Sequence, residues 1–263
     1  TLVKSSAASD VYKRQIMNVS PFIAELIGTS FLIVLGQGVV ANVNLKKTIG
    51  EGQNPWLLIT LAWGFSVFIG VFIAGSISGA HLNPAVTIGL ATAGKFSWNL
   101  VPFYFLAQLI GAMIGSCLSY IAYIDHYKLS DDEGIVRSTF CTGPAIRNFK
   151  NNFFAEILGT FVLVFCALNI VGPNIIIEGV NVQNFGLGSI DALPIGIVVI
   201  VIGMGLGGNT GFAINPARDL GPRIIYSLTP RKNKKPDWEY AWIPVLGPLV
   251  GGIIAGFFYF IIS

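Results

Sequence analysis

Two stretches decide the reading of this chain: SGAHLNPAVTIGL at 78–90 and TGFAINPARDLGP at 210–222. Each carries Asn-Pro-Ala between short apolar runs, as Asn83-Pro84-Ala85 and Asn215-Pro216-Ala217. Asn is a preferred helix N-cap and Pro is favoured at the first helical position, so both motifs read as starts of short helices, running to about residues 93 and 227. A single such motif means little more than a turn before a helix. Here the two belong to a wider repeat. FIAELIGT (22–29) matches FFAEILGT (153–160), which sets Glu25 over Glu156, and QLIGA (108–112) matches PLVGG (248–252).

The surroundings of the two motifs are almost free of charge. Of the 263 residues, 11% are charged and 53% hydrophobic, against about 25% charged in a soluble domain, and the mean hydropathy is +0.70. The 16 Lys and Arg and 13 Asp and Glu are too few to cover a soluble globule. A disordered chain, a disulfide scaffold and an ordinary soluble enzyme are excluded. Residues 26–45, 52–94, 96–124, 157–177, 192–217 and 240–263 contain no Asp, Glu, Lys or Arg. A membrane-crossing helix needs about 20 such residues. Strands of a membrane barrel would alternate in polarity over about 10 residues, which these do not. Stretch 52–94 is too long for one span and too short for two spans and a polar loop. It reads as a span near 56–76 followed by a broken apolar segment, and 192–217 repeats the pattern.

The expected fold is therefore an all-α membrane protein: six transmembrane helices plus two re-entrant half-helices in an inverted 3+3 repeat. Three spans per half force the second half to enter with opposite orientation, and such repeats place their functional site at the interface between halves. Residues 18–263 read as a single transmembrane channel domain, with repeat halves at about 18–125 and 150–263. Residues 1–17 read as a disordered tail or an expression or translation scar. The chain stops at Ser263 near the end of the last span, so no regulatory tail is expected.

Inverted half-helices meet N-terminus to N-terminus at mid-membrane. Their positive dipole ends and the two Asn amides then face a common point, which repels cations and orients a hydroxyl or water. The preceding backbone, Gly79, Ala80, His81 and Leu82 in one half and Gly211, Ala213 and Ile214 in the other, offers a ladder of carbonyl acceptors. Donors at the centre and acceptors along one wall suit a neutral permeant and exclude ions. Glu25 and Glu156 are the carboxylates well inside spans, where ionisable groups are costly and usually functional. A proton relay is one reading. Their twin positions favour a scaffold role instead, in which each accepts hydrogen bonds from its own re-entrant loop. Arg218, in the first turn of the second half-helix, should face a pore rather than lipid. For His81 a luminal and a packed position are equally open.

These motifs closely resemble the major intrinsic protein (aquaporin) family over residues 18–263, and within it the aquaglyceroporin, or glycerol facilitator, branch. The resemblance implies an aquaporin-like fold and a selectivity filter at Trp63, Gly203, Phe212 and Arg218. Water-selective members typically carry Phe and His at the first two of these positions. Gly203 is expected to widen the constriction, with Trp63 and Phe212 forming an apolar corner for the CH edge of a polyol and Arg218 binding its hydroxyl edge. Tyr123, Asp219, Arg223, Pro244 and Val245 also match the glycerol-conducting branch. The implied function is passive conduction of glycerol and other small neutral solutes, urea among them, with some water. The implied assembly is a homotetramer in a lipid bilayer, the plasma or bacterial inner membrane, with both termini cytosolic. The alternatives are a water-selective pore and a secondary transporter of small polyols.

The remaining features add exclusions. The net charge of +3 is scattered over separate loops, so no nucleic acid is expected as partner. Arg231, Lys232, Lys234 and Lys235 read as a solvated face. Cys117, Cys141 and Cys166 lack metal-ligand spacing, and with two His there is no catalytic or metal constellation. No enzyme activity, metal or cofactor is expected. Gly111–Gly115 and Gly251–Gly256 read as close-contact faces for the tetramer. The positive-inside rule, counted over the loops, favours the opposite orientation to the family's.

Overall fold

The computed structural model describes residues 20–53, 55–172 and 187–263. The expected tail at 1–17 and most of the connection after the fourth span lie outside them. Ten α-helices are described: α1 Pro21–Asn44, α2 Pro55–Ser78, α3 Pro84–Thr92, α4 Val101–Ala122, α5 Ile124–Leu129, α6 Glu133–Phe140, α7 Phe149–Asn169, α8 Leu193–Leu206, α9 Pro216–Leu228 and α10 Trp242–Ile262. Six are long and apolar enough to cross a membrane, α8 together with the 3₁₀ turn Gly188–Ala192 that leads into it. The half-helices α3 and α9 have 9 and 13 residues, too short for the hydrocarbon thickness of about 30 Å.

The caps are local chemistry. Asn83 Oδ1 accepts from Ala85 N at 2.8 Å, and Asn215 Oδ1 accepts from Ala217 N at 3.0 Å and Arg218 N at 3.2 Å. Pro follows both, so donors that would be orphaned at a buried helix end are removed or satisfied. Asn148 caps α7 and Ser20 caps α1 in the same way.

Two boundaries differ from the charge map. The fourth span starts at Phe149 and ends at Asn169, not at 157–177. Lys150 sits in its first turn, where it is exposed, and Glu156 inside it is buried. Similarly α1 begins at Pro21 and contains buried Glu25. A charge ends a span only when it faces lipid; hydrogen-bonded inside the bundle, it does not.

The bundle is apolar outside and buries polar groups beside its apolar core. Phe31, Phe72, Phe103, Phe154, Val201 and Phe260 are exposed, whereas Glu25, Gln37, Thr60, Gln108, Asn152 and Thr160 are buried. Within the halves, α1 packs on α2 and α4, and α7 on α10 and α8. The halves meet along α2 and α8, and each half-helix packs on the last span of the other half, α3 on α10 and α9 on α4.

These contacts overturn one expectation. The Gly111–Gly115 face is used within the chain: a Cβ on Gly111 or Gly115 would run into the Leu26 and Ser30 backbone of α1. In Gly251–Gly256, Gly251 meets α7 at Ile157, and Gly252 and Gly256 meet α3 at Ala85 and Gly89. Both faces are buried by helices of the same molecule, so neither is free to build an oligomer.

Candidate functional site

Between the halves lies a cavity of about 330 Å³ whose lining includes the segments before both caps, the two asparagines and Arg218. A second cavity of about 390 Å³ lies beyond it, walled by Ser138 and Cys141–Ala145. Trp63, Phe212 and Arg218 line both, so they stand at the junction.

The segments before the caps are held in the same unusual backbone shape. Gly79, Ala80 and Leu82 have φ of 81°, 48° and 52°, and Gly211, Phe212 and Ile214 have 79°, 38° and 42°. For the non-glycine residues this left-handed conformation costs roughly 1–3 kcal/mol each and needs outside support. The buried glutamates supply it. Glu25 accepts from His81 N at 2.9 Å, Leu82 N at 2.7 Å, Ser78 Oγ at 2.7 Å and Gln108 Nε2 at 2.7 Å. Glu156 accepts from Ala213 N at 3.0 Å and Ile214 N at 2.8 Å. In a trans peptide the carbonyl points opposite to the N–H. Drawing the N–H groups of 81, 82, 213 and 214 to the glutamates therefore aims the carbonyls of Ala80, His81, Phe212 and Ala213 away from them, toward the cavity.

The last rung of each ladder differs from expectation. Asn83 Nδ2 donates to the Ile214 carbonyl at 2.8 Å, and Asn215 Nδ2 to the Leu82 carbonyl at 2.9 Å. The asparagines thus spend one N–H each in tying the halves together and keep the other for the lumen. The Leu82 and Ile214 carbonyls are engaged by this link and retain at most a second lone pair. Opposite the polar strip the wall is apolar, with Leu32, Val67, Val71, Leu163 and Val199.

At the junction the Arg218 guanidinium lies over Trp63, its Cζ 4.1 Å from a ring centroid. Arg218 is 8% exposed, and among the described residues its side chain donates no hydrogen bond. Phe212 meets Trp56 edge to face at 5.8 Å. Gly203 lines neither cavity. A Cβ there would stand 2.9 Å from Thr60 Cγ2 and 3.0 Å from Phe212 Cζ. The space of its absent side chain is thus taken by the Phe212 ring.

His81 satisfies both of its readings. It lines the cavity, while its Nδ1 lies 3.1 Å from Thr87 Oγ1 and its ring packs against Phe96 and Tyr104.

Asp219 and Arg223 form a fully buried pair, Oδ1 to Nη2 at 2.8 Å. Asp219 accepts from Thr142 N and Oγ1, both at 2.7 Å, and Arg223 donates to the carbonyls of Thr142, Pro236 and Asp237. The pair pins two loops to the second half-helix. With Tyr123, Pro244 and Val245, it lines neither cavity.

Several lining residues carried no legible sequence signal. Asp191 lines the first cavity, with Oδ2 accepting from Leu187 N at 3.0 Å. Thr142 and Trp56 line the second cavity. So does Cys141, far in sequence from the junction; burial pushes its thiol up to about 12.

Related sequences and a matching fold occur among known proteins. The family model described as "Major intrinsic protein" matches residues 13–259. The chain belongs to the major intrinsic protein family. Among curated members of this family of membrane channels and transporters, it is 46% identical over 242 residues to the "Probable glycerol uptake facilitator protein" of Thermotoga maritima, covering 92% of this chain and 98% of that one. It is also 46% identical to the "Glycerol uptake facilitator protein" of Bacillus subtilis, with 92% and 84% covered. Among solved structures, the aquaglyceroporin from Plasmodium falciparum matches with a TM-score of 0.77 at 34% identity, covering 92% of this chain and 95% of that one. As a major intrinsic protein with six membrane-competent helices, the chain is an integral membrane protein of the aquaporin-like fold.

Proposed function

We propose that this protein is a passive channel for glycerol and other small neutral solutes, urea among them, with some water, and that it excludes ions and protons. The observation that carries this reading is the junction itself. An Arg218 guanidinium without a hydrogen-bond partner among the described residues faces the lumen beside two aromatic rings. Such a constriction takes a linear polyol edgewise, its hydroxyls toward Arg218 and nearby carbonyls and its CH groups toward Trp63 and Phe212. The relatives named as glycerol facilitators support the same solute.

In the first cavity the solute exchanges water for the carbonyls of Ala80, His81, Phe212 and Ala213. The apolar wall accepts its CH edge, so desolvation is offset on one side only. A cation meets the positive ends of two half-helices and Arg218 together, and no carboxylate at the centre compensates it. The two Asn donors orient a passing water toward both sides of the midpoint, which interrupts a proton-conducting chain. Glu25 and Glu156, each bonded to two loop N–H groups, act as scaffold rather than relay. Enzymatic chemistry has no role in this reading.

We place both termini in the cytosol, as in the family, so that the cavity walled by Cys141–Ala145 opens outward. Five of the bases that count against this orientation are paired with acids. Lys46 pairs with Asp131, Lys128 with Asp125, Arg231 with Glu133, and Arg137 and Arg147 with Asp237. A homotetramer, as in the family, completes the proposal.

Stopped-flow swelling of proteoliposomes in water, glycerol and urea tests it. Non-saturating glycerol flux, indifferent to a proton gradient, is the expected result. Saturable, gradient-driven uptake would replace the channel with a secondary transporter, and water flux without glycerol flux would make it a water-selective pore.

A further inference from the structure

Both aromatic residues of the junction are seated on glycines that lie outside the four positions of the proposed filter. A Cβ on Gly36 of α1 would stand 2.5 Å from Cε3 and Cζ3 of Trp63 and 2.7 Å from Cη2. A Cβ on Gly207, just after α8, would stand 2.5 Å from Phe212 Cδ1, 2.6 Å from the Gly203 carbonyl oxygen and 3.0 Å from Trp56 Cζ2. Carbon atoms do not approach this closely, so a methyl group at either position moves the ring.

Neither ring has free space behind it. Trp63 is 4% exposed, with the Arg218 guanidinium over its face. Phe212 is 5% exposed and rests on Gly203 and Gly207, with Trp56 against its edge. A close-packed interior transmits such a push instead of absorbing it. The soft direction is the lumen, because both rings border the two cavities there.

We infer that Gly36 and Gly207 are specificity-determining positions. They set how far Trp63 and Phe212 retract from the junction, and hence the bulk of the solute that passes. This rests on the channel reading above and extends it to two positioning residues, of which Gly36 touches no solute.

Paired water and glycerol permeabilities of Gly36→Ala and Gly207→Ala in proteoliposomes test the inference, with protein amount and melting temperature measured alongside. Glycerol permeability should fall about tenfold, on the scale of one methylene in a tight apolar site, and water permeability less than about twofold. Replacing Trp63 with the shorter Phe withdraws the edge that meets Gly36. The Gly36→Ala/Trp63→Phe double variant should therefore show the water-to-glycerol ratio of Trp63→Phe alone, a coupling that general destabilisation does not produce. Should Gly36→Ala fail to assemble, Gly207→Ala decides by the same ratio. Equal loss of both permeabilities, or strictly additive effects in the double variant, would overturn the inference. Wild-type vesicles that pass no glycerol would instead overturn the channel reading for that solute; the glycine positions are then judged by the water-to-urea ratio.

Discussion

Asn83 caps its own half-helix and also donates to the Ile214 carbonyl of the other half at 2.8 Å. One side chain therefore starts a helix, joins the two repeats and supplies a donor to the lumen. Asn83→Asp separates these roles, since a carboxylate still caps but cannot donate. Losing a buried hydrogen bond and setting a carboxylate against a carbonyl should cost about 1–3 kcal/mol. We expect a lower melting temperature, reduced glycerol flux and a measurable cation leak, since a negative charge at the meeting point of the dipoles cancels part of the barrier. Vesicle flux with a potential-sensitive dye checks this.

Glu25 holds four donors and Glu156 two backbone N–H groups. Replacing either by Gln turns one acceptor oxygen into a donor that faces another donor. Each change should destabilise by about 2–3 kcal/mol, with Glu25→Gln the more severe. Thermal melting in detergent ranks them. A proton relay would instead predict near-normal stability with altered dependence of flux on the proton gradient.

At the junction, Gly203→His must place its Cβ where the Phe212 ring and the Thr60 methyl now lie. The ring moves and a polar group enters. Glycerol permeability is expected to fall about tenfold or more, and water permeability much less. Equal losses in stopped-flow assays would count against this position as part of the filter.

The Asp219–Arg223 pair is fully buried and ties Thr142, Pro236 and Asp237 to the second half-helix. Removing one partner leaves a buried charge alone, which should cost about 3–5 kcal/mol. Asp219→Asn and Arg223→Met singly should each lower the melting temperature strongly, while the double change costs less than their sum. Additive losses would show that the two residues do not act as a pair.

Glu133, at the start of α6, tests linkage to pH. Burial opposes its ionisation, but hydrogen bonds from Arg231 and Tyr226 and the Arg231 charge prevail, holding the carboxyl below its ordinary value of 4.5. A depressed carboxyl stabilises the fold above its unfolded value and loses that contribution as pH falls through its folded one. This contact should therefore loosen below the ordinary Glu range, and Glu133→Gln should flatten this acid limb. Melting curves across acid pH for both proteins check it.

The short list of buried charges is legible in the sequence. Glu25, Glu156, Arg218, Asp219 and Arg223 stand out because the stretches around them contain few others, and all five are buried. The geometry that makes them useful is not legible there. Charge-free length places the spans but misjudges the start of α7, because the burial of Glu156 depends on a loop 57 residues away. The glycine faces that read as oligomer contacts hold this chain's own helices together.

By itself, the sequence determined what is periodic or local: six spans from apolar length, two half-helices from Asn-Pro caps, and the inversion from an odd number of spans per half. The cross-link of Asn83 and Asn215, the retraction of Phe212 onto Gly203 and Gly207, and the seating of Trp63 on Gly36 were decided only by the tertiary structure. Each joins groups that local spacing does not bring together, and its strength depends on ångström-scale approach that no spacing along one segment records.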